Sequence, residues 1–346
     1  MREVQIPPKS LDRLVPLIGP DRAARLQQAA VQTRRALEGR TVWNVNATAE
    51  GGGVAELLTS LLAYGRGAGV DTRWLVLDGD PDFFALTKRV HNKIHGVAGD
   101  GGPLGQEERR HYDEVLQDNL PYLVRQVRPG DVVLLHDPQT AGLVPSVLGL
   151  NEVLVVWRSH IGWDVGNEHT DAGWAFLRSD VERADRIVFS RRQFAPEWVP
   201  AEKLRVIAPS IDPYALKNLD LEPGRARAVL AQAGLLADGE PDDDLSFVRV
   251  DGTTAQVRPH ADLLVDGAEP PPADARLVVQ ISRWDRLKDM AGVLRGFAEA
   301  LADLPDDAHL VLVGPEVGGV ADDPEGAEVL GECTELWRDL PAAAQD

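Results

Sequence analysis

Short apolar runs alternate with amphipathic stretches along most of the chain. The clearest unit combines an apolar strand at 42–45, a glycine-rich turn and apolar residues at helical spacing over 54–62. The runs at 131–135 and 153–157 are continuous rather than alternating, which indicates strands covered on both faces. Strands are predicted over 42–45, 72–77, 131–135, 153–157, 186–190 and 204–207. Strands that alternate with helices at this spacing predict an α/β fold with a doubly wound parallel sheet.

The segments between these strands predict helices, a turn and a loop. Helices are predicted over 54–62, 107–127 and 174–184, and an amphipathic piece at 21–37 is expected to pack outside the first domain. The aspartate-rich segment 78–84 is interpreted as an acidic turn, and the glycine-rich segment 91–105 as a loop.

The composition changes after residue 212, which predicts a domain boundary there. Residues 1–212 form the expected first domain, and 213–275 an expected linker and acidic insertion, with a helix at 225–235, an acidic run at 238–244 and a hairpin at 247–257. Residues 276–346 begin a second α/β unit with strands at 276–281 and 309–313 and helices at 290–301 and 325–339. Two strands are too few for a complete doubly wound domain, so the second domain is expected to be incomplete.

Three successive glycines, Gly51, Gly52 and Gly53, lie between the first strand and its helix. Glycine permits positive φ and a close approach of the backbone to a ligand, and the free N–H groups of a helix N-terminus attract anions. The turn is therefore a candidate cradle for a phosphate or a sugar. A tight strand-to-helix turn without any ligand fits the same pattern.

Two histidines follow strands that are predicted to be parallel. His136 and Asp137 come directly after the strand at 131–135, and His160 follows the strand at 153–157. A single histidine is more often a packing or capping residue, but the carboxyl edge of a parallel sheet is where such folds bind ligands. The pair of histidines therefore indicates a candidate site at that edge.

A basic turn follows the first strand of the second domain. Arg283, Arg286 and Lys288 lie between that strand and the N-terminus of the next helix. Arginine binds phosphate oxygens in a fork, and the helix dipole adds a partial positive charge. The turn suits a diphosphate, although a solvated basic turn would have the same composition.

Composition narrows the possible partners. The 346 residues are 44% hydrophobic and 26% charged, with a net charge of -19, which argues against a nucleic acid or an anionic membrane as partner.

A single cysteine, Cys333, excludes an intramolecular disulfide and fits a reducing compartment. Without a signal-peptide core or an apolar run of about 20 residues, the chain is expected in the cytoplasm. Scattered histidines and acidic runs without ligand spacing predict neither a metal nor a cofactor.

Six segments of the chain carry a family resemblance: NATAEGGGVAELL, DGDPDFFALTKRVHNKIHG, LLHDPQTAGL, WRSHI, PSIDPYALKN and QISRWDRLKD. Together they resemble the retaining glycosyltransferases of family 4. The likeness is greatest to those members that form trehalose from a nucleoside-diphosphate-glucose and glucose, and it covers residues 42–314. It implies a GT-B fold, with two Rossmann-like domains, and a nucleotide-sugar donor and a sugar acceptor as partners.

The resemblance also assigns roles to residues. Arg283 and Lys288 match the pair that binds the donor diphosphate, and His160 matches the histidine beside the donor glucose. The binding residues implied by the other motifs are Asn46, Gly51, Gly52, Gly53, His136, Asp137 and Gln139. The family's Glu-x7-Glu motif has no match before the sequence ends, so this chain taken alone is expected to be a poor catalyst.

Other classes of protein remain open at this point. A nicotinamide-dependent enzyme would use Asp78 at the end of the second strand, but the dinucleotide fingerprint fails because Glu56 stands where glycine or alanine is needed. A non-catalytic sugar or nucleotide binding protein, or a glycosyltransferase with another acceptor, fits the same motifs. The sequence leaves a homodimer open.

Overall fold

The structure is a computed structural model that describes residues 1–237, 245–249, 253–258, 269–317 and 325–345. The chain divides into two compact units, Met1–Asp212 and Pro213–Asp346, called here the first and the second unit. No helix among the described residues is long and apolar enough to cross a membrane. The separation of residues 213–275 as a linker and insertion stays a prediction.

The first unit is built on one sheet of seven strands. Its order is β1-β3-β2-β4-β5-β6-β7, and every pair is parallel except β1 with β3. The predicted α/β class is therefore confirmed. The bounds are β1 Arg2–Val4, β2 Val42–Asn46, β3 Thr72–Val76, β4 Val132–His136, β5 Leu154–Ser159, β6 Arg186–Phe189 and β7 Leu204–Val206.

The buried side chains explain why these segments are strands. Val45, Leu135 and Trp157 are completely buried, and Trp43 is nearly so, within one cluster that joins neighbouring strands to the helices. Buried side chains along β4 point to both faces of the sheet. The strand is therefore covered on both faces, as its continuous apolar run predicts.

Helices α1 to α7 cover this sheet. The helix predicted at 21–37 extends further, because α1 begins before Gly19, whose φ of 74° breaks its regular backbone. The helix predicted at 174–184 begins earlier, at Glu168, because Asn167 caps its first turn. The bounds are α1 Val15–Ala36, α2 Gly53–Gly67, α3 Pro81–Ile94, α4 Gln106–Gln126, α5 Asp137–Thr140, α6 Val144–Leu148 and α7 Glu168–Val181.

The turn predicted at 78–84 and the loop predicted at 91–105 are partly wrong, because α3 occupies residues 81–84 of the first and residues 91–94 of the second. The Asp80 carboxylate accepts a hydrogen bond from the Phe83 N–H at 2.7 Å, which caps the helix, and Pro81 occupies the first turn. The helix ends at Ile94, and Gly96 follows with a φ of 82°.

The second unit contains a parallel pair of strands, an antiparallel hairpin and four α-helices within the residues described. Ile281, Val279 and Val278 on the parallel pair are exposed. The acidic run predicted at 238–244 lies outside the described residues. The bounds are α8 Pro223–Gln232, β8 Ser246–Val248, β9 Thr254–Gln256, β10 Arg276–Ile281, α9 Met290–Ala300, β11 Ala308–Val313, α10 Gly326–Arg338 and α11 Ala342–Gln345.

Candidate functional site

The carboxyl ends of β2, β4 and β5 lie side by side in the first unit. Val45 is in register with Leu135, and His136 with Arg158, in parallel pairs. The glycine turn, Asp137 and His160 therefore follow their strands at one edge of the sheet, as predicted. In doubly wound sheets this edge is the one that binds ligands.

Asn46 holds the start of the glycine turn in place. The indole Nε1–H of Trp74 donates to the Asn46 side-chain oxygen at 2.6 Å, and the Asn46 amide nitrogen donates to the Thr48 carbonyl at 2.7 Å. The side chain of Asn46 is thus engaged on both sides by the protein itself. In the structure it supports the shape of the turn.

The three glycines differ in backbone conformation. Gly51 and Gly52 have φ angles of 70° and 130°, where a side chain would be strained. Gly53 starts α2 with an ordinary helical φ, and a Cβ there would meet nothing within 4 Å. Gly52 caps α2 without a side-chain hydrogen bond. The protein's own packing therefore leaves space around Gly53 and the first N–H groups of α2.

His136, Asp137 and His160 form one hydrogen-bonded group. His136 Nδ1 lies 3.0 Å from His160 Nε2, and the two ring planes are inclined by 23° with their centroids 5.2 Å apart. The backbone N–H of His160 donates to Asp137 Oδ1 at 2.7 Å. Asp137 has a left-handed backbone with a φ of 63°, and its carbonyl accepts a hydrogen bond from the Trp157 indole N–H at 3.1 Å. The two predicted strand ends therefore meet.

Tyr112 fixes the segment that follows Asp137. The buried Tyr112 hydroxyl donates to the Pro138 carbonyl at 2.6 Å and accepts from the Gly142 N–H at 2.9 Å. Gln139, another predicted binding residue, lies between these anchors on the short helix α5 and is half-buried. Its backbone position is therefore fixed from both sides.

Burial governs the charges of this group. It lowers the pKa of His136 well below its usual value, and nearby His160 and Arg158 act in the same direction. Burial also lowers the pKa of His160, where Asp137 opposes the change and Arg158 adds to it. The pKa of Asp137 is raised by burial, against the effects of His160 and Arg158. Near neutral pH both imidazoles are therefore uncharged.

The structure adds Asn44 and Arg158, which the sequence-based prediction missed. Asn44 is 2% exposed within β2, and its side-chain oxygen lies 3.2 Å from His136 Nε2. Arg158 is 6% exposed, and its Nε has no hydrogen-bond partner among the described residues. For Asn44 the available signal was a polar side chain between the apolar residues of β2, because buried polar groups are rarely placed without a partner or a role. Arg158 directly follows the strand predicted at 153–157, so no such signal marked it.

The second unit contains the basic turn. Asp285 is 1% exposed, accepts from the Leu287 N–H at 2.8 Å and pairs with Arg283 at 3.3 Å. Asp289 has a φ of 51°, and its carboxylate accepts from the Gly292 N–H at 3.1 Å, which caps α9. Because this carboxylate already faces the first turn of α9, the predicted contribution of that helix N-terminus to anion binding is reduced.

Arg286 differs from its neighbours in the turn. Its guanidinium binds Glu332 at 2.7 Å and Glu328 at 3.3 Å, and it lies 3.9 Å from Glu325. All three carboxylates belong to α10 or to the residue that precedes it. Arg286 thus joins the turn to α10. Arg283 and Lys288 remain the predicted pair.

Trp284 anchors the same turn to the end of β11. Its indole N–H donates to the Pro315 carbonyl at 3.0 Å. A Cβ on Gly314 would lie 2.4 Å from atoms of the indole ring, so only glycine lets the ring take this position. Within the residues described, no group of three or more His, Cys, Asp and Glu side chains is placed to hold a metal ion.

Comparison with protein families supports the resemblance seen in the motifs. Residues 44–196 match the family described as trehalose synthase, N-terminal domain, and this segment contains the glycine turn, both histidines and Asp137. The predicted resemblance is thereby confirmed for residues 44–196.

Curated relatives extend the similarity. A trehalose synthase of Pyrococcus horikoshii is 29% identical over 318 residues, which cover 92% of this chain and 64% of that protein. A trehalose phosphorylase of Pleurotus sajor-caju is 32% identical over 192 residues, which cover 51% of this chain and 25% of that protein. This chain thus spans less than two thirds of the length of either relative. The matches indicate a glycosyltransferase-like, trehalose-related protein.

A solved structure shares the fold. The trehalose-6-phosphate synthase OtsA superposes with a TM-score of 0.56, at 12% identity, over 86% of this chain and 70% of that chain. At this identity the likeness concerns the fold alone. It agrees with the GT-B type α/β class predicted from the sequence.

Proposed function

We propose that this chain takes part in the transfer of glucose from a nucleoside-diphosphate-glucose to free glucose, with retention of the anomeric configuration, so that trehalose is formed. The observation that carries the proposal is the His136–Asp137–His160 group at the carboxyl edge of the first unit, inside the segment that matches the trehalose synthase N-terminal domain. The glycine turn and the basic turn are then used to assign roles to the other binding residues.

In this proposal the first unit binds sugar hydroxyls. Neutral imidazoles can exchange hydrogen bonds with hydroxyl groups without burying a second charge, and the depressed pKa of His160 keeps its ring neutral. The glycine turn, Asn46 and Gln139 shape the surroundings of this site. His160 is the residue that we place against the sugar of the donor.

The second unit binds the diphosphate through Arg283 and Lys288. In a retaining transfer without a carboxylate nucleophile, the bond from glucose to phosphate loosens first, and negative charge builds up on the leaving diphosphate. A preorganised cation facing that charge can contribute roughly 3 kcal/mol to the transition state. Because Asp289 caps α9, we assign this role to the two side chains rather than to the helix N-terminus. Neither a metal nor a cofactor enters the proposal.

Trehalose phosphorolysis is the second candidate, and the similarity to the Pleurotus phosphorylase favours it. Such a reaction needs inorganic phosphate or glucose 1-phosphate and no nucleotide. A sugar or nucleotide binding protein without turnover, or a glycosyltransferase that uses another acceptor, would need the same binding residues.

The test is a product assay with three donors. The purified chain is incubated with glucose and either UDP-glucose, ADP-glucose or glucose 1-phosphate, and the products are identified by NMR. Formation of α,α-trehalose from a nucleotide donor supports the proposal, whereas trehalose formed only from glucose 1-phosphate supports the phosphorylase. Because the chain alone is expected to be a poor catalyst, the incubations are long and the enzyme concentration is high. Binding of a nucleotide-sugar by calorimetry without any product under those conditions would indicate a binding protein.

A further inference from the structure

The amide of Asn44 has one orientation that satisfies its surroundings. Its nitrogen lies 3.4 Å from the Arg73 carbonyl oxygen and 3.2 Å from the Thr72 hydroxyl, which itself donates to the Val42 carbonyl at 3.2 Å. A carbonyl oxygen can only accept, so the NH2 group must face β3. The amide oxygen of Asn44 therefore faces His136.

This orientation determines which nitrogen of His136 carries the proton. His136 Nε2 lies 3.2 Å from the Asn44 oxygen, which can only accept, so His136 carries its proton on Nε2. The ring is 1% exposed and its pKa is lowered by burial, so it holds one proton only. Its Nδ1 is then an acceptor.

The same reasoning extends to His160. His160 Nε2 lies 3.0 Å from His136 Nδ1, and an acceptor at that distance requires a donor on the other side. Asp137 and Arg158 are the charged groups whose fields reach His160, and their effects on its pKa are opposite in sign. A neutral His160 with its proton on Nε2 has a lone pair on Nδ1.

We propose that Asn44 and His136 are positioning residues that fix His160 in the Nε2–H tautomer, so that His160 Nδ1 accepts a hydrogen bond from a hydroxyl group of the ligand. A hydroxyl can donate to this lone pair, whereas a carbonyl or an ether oxygen would be repelled by it. The identification of this hydroxyl as that of a sugar rests on the proposed function. The tautomer of His160 follows from the hydrogen bonds alone and does not depend on the proposed function.

Substitution of Asn44 by Asp keeps the shape of the side chain, adds a charge and removes the NH2 group that faces Thr72 and Arg73, so Asn44→Leu is measured beside it. A carboxylate beside His136 Nε2 raises the pKa of that ring and favours its protonated form as the pH is lowered. Protonated His136 donates from Nδ1, so His160 Nε2 must accept and the proton of neutral His160 moves to Nδ1. In the Asn44→Asp variant at low pH, His160 Nε2 should therefore become the acceptor and His160 Nδ1 the donor.

The experiment records long-range 1H–15N spectra of the uniformly labelled chain from pH 8 to pH 6. We expect His160 to be the Nε2–H tautomer in the wild type throughout, and to change to Nδ1–H on acidification in Asn44→Asp. Asn44→Leu, which has no acceptor, should show both tautomers. An Nδ1–H tautomer of His160 in the wild type, or an unchanged tautomer in both variants, would overturn the proposal.

Calorimetric titration with glucose and with UDP-glucose separates the two proposals. At pH 6, where the tautomer of His160 has changed, loss of one hydrogen bond in Asn44→Asp should weaken the binding of whichever sugar is bound by about tenfold. If the wild-type tautomer is as expected but neither sugar binds, the positioning role stands and the proposed function fails. Equal affinities of wild type and Asn44→Asp, despite a changed tautomer, would show that Nδ1 does not contact the ligand.

Discussion

Gly314 and Trp284 fit together so closely that the glycine has no room for a side chain. A Cβ on Gly314 would lie 2.4 Å from the indole, whose N–H is held by the Pro315 carbonyl. Trp284 stands between Arg283 and Asp285, so the fit also places the basic turn. The geometry of the turn thus depends on a residue 30 positions away from Trp284.

The first prediction follows from this fit. Gly314→Ala should force the indole away and lower the free energy of unfolding of the second unit by about 1–3 kcal/mol, the usual effect of overpacking. Chemical denaturation measures it. Gly296→Ala is the control, because a Cβ at that position in α9 meets nothing within 4 Å and alanine favours a helix. Equal stabilities of the two variants would contradict the expected clash.

The second prediction concerns the basic turn. Arg283→Ala and Lys288→Ala should each weaken UDP or ADP binding by about 10- to 100-fold, because a charge-assisted hydrogen bond to phosphate is lost. Arg286→Ala should instead change stability by about 1 kcal/mol, since its half-exposed guanidinium binds the carboxylates of α10. Calorimetry and denaturation distinguish the two effects. Equal losses of nucleotide affinity in all three variants would rule out the assignment.

The third prediction separates the glycines of the turn after β2. Gly52→Ala should lower the free energy of unfolding by about 1–3 kcal/mol, because a φ of 130° is nearly restricted to glycine. Gly53→Ala should leave stability unchanged within about 0.5 kcal/mol, because its Cβ points into open space. If a ligand approaches the backbone there, Gly53→Ala should still weaken ligand binding. Unaltered ligand affinity in Gly53→Ala would argue for a turn without a ligand.

The fourth prediction is a pH dependence of stability. The folded pKa values of His136 and His160 lie below the ordinary value of about 6.5, so the unfolded chain binds more protons below that pH. The stabilisation is complete above about pH 6.5 and declines as the pH falls toward the folded pKa values, by about 1.4 kcal/mol per pH unit for each histidine.

Urea denaturation between pH 7.5 and pH 5 measures this slope. His136→Gln, which keeps polar side-chain atoms but does not titrate, should show a shallower decline than the wild type. An identical slope in both proteins would mean that His136 does not titrate differently in the folded and unfolded states.

The strands and the glycine turn of the first unit were predictable because their sequence signals lie within short segments of the chain. The apolar runs of β2, β4 and β5 and the turn at Gly51–Gly53 lie within short windows, and their order implies that they share one sheet edge. Helix α3 was missed although its start signal was present, because Asp80 and Pro81 are as frequent in turns as at helix starts.

The remaining features depend on contacts between distant parts of the chain. The amide orientation of Asn44 is determined by the Arg73 carbonyl, and its effect reaches a histidine 92 residues further on. The three-residue strand β1 is too short to show a period, and only its antiparallel pairing with β3 defines it. Nothing in a local window encodes either relationship, so the structure was needed to find them.

The left-handed backbone of Asp137 sets a local strain against a hydrogen bond. An aspartate in that conformation costs the fold on the order of 1 kcal/mol, which a glycine would avoid. Asp137→Gly also removes the carboxylate that accepts the His160 N–H, and an unsatisfied donor costs about 1–3 kcal/mol. The gain and the loss are of similar size, so a laboratory search for heat-resistant variants has little reason to replace this aspartate. The strained residue can therefore persist in the protein without being selected for stability.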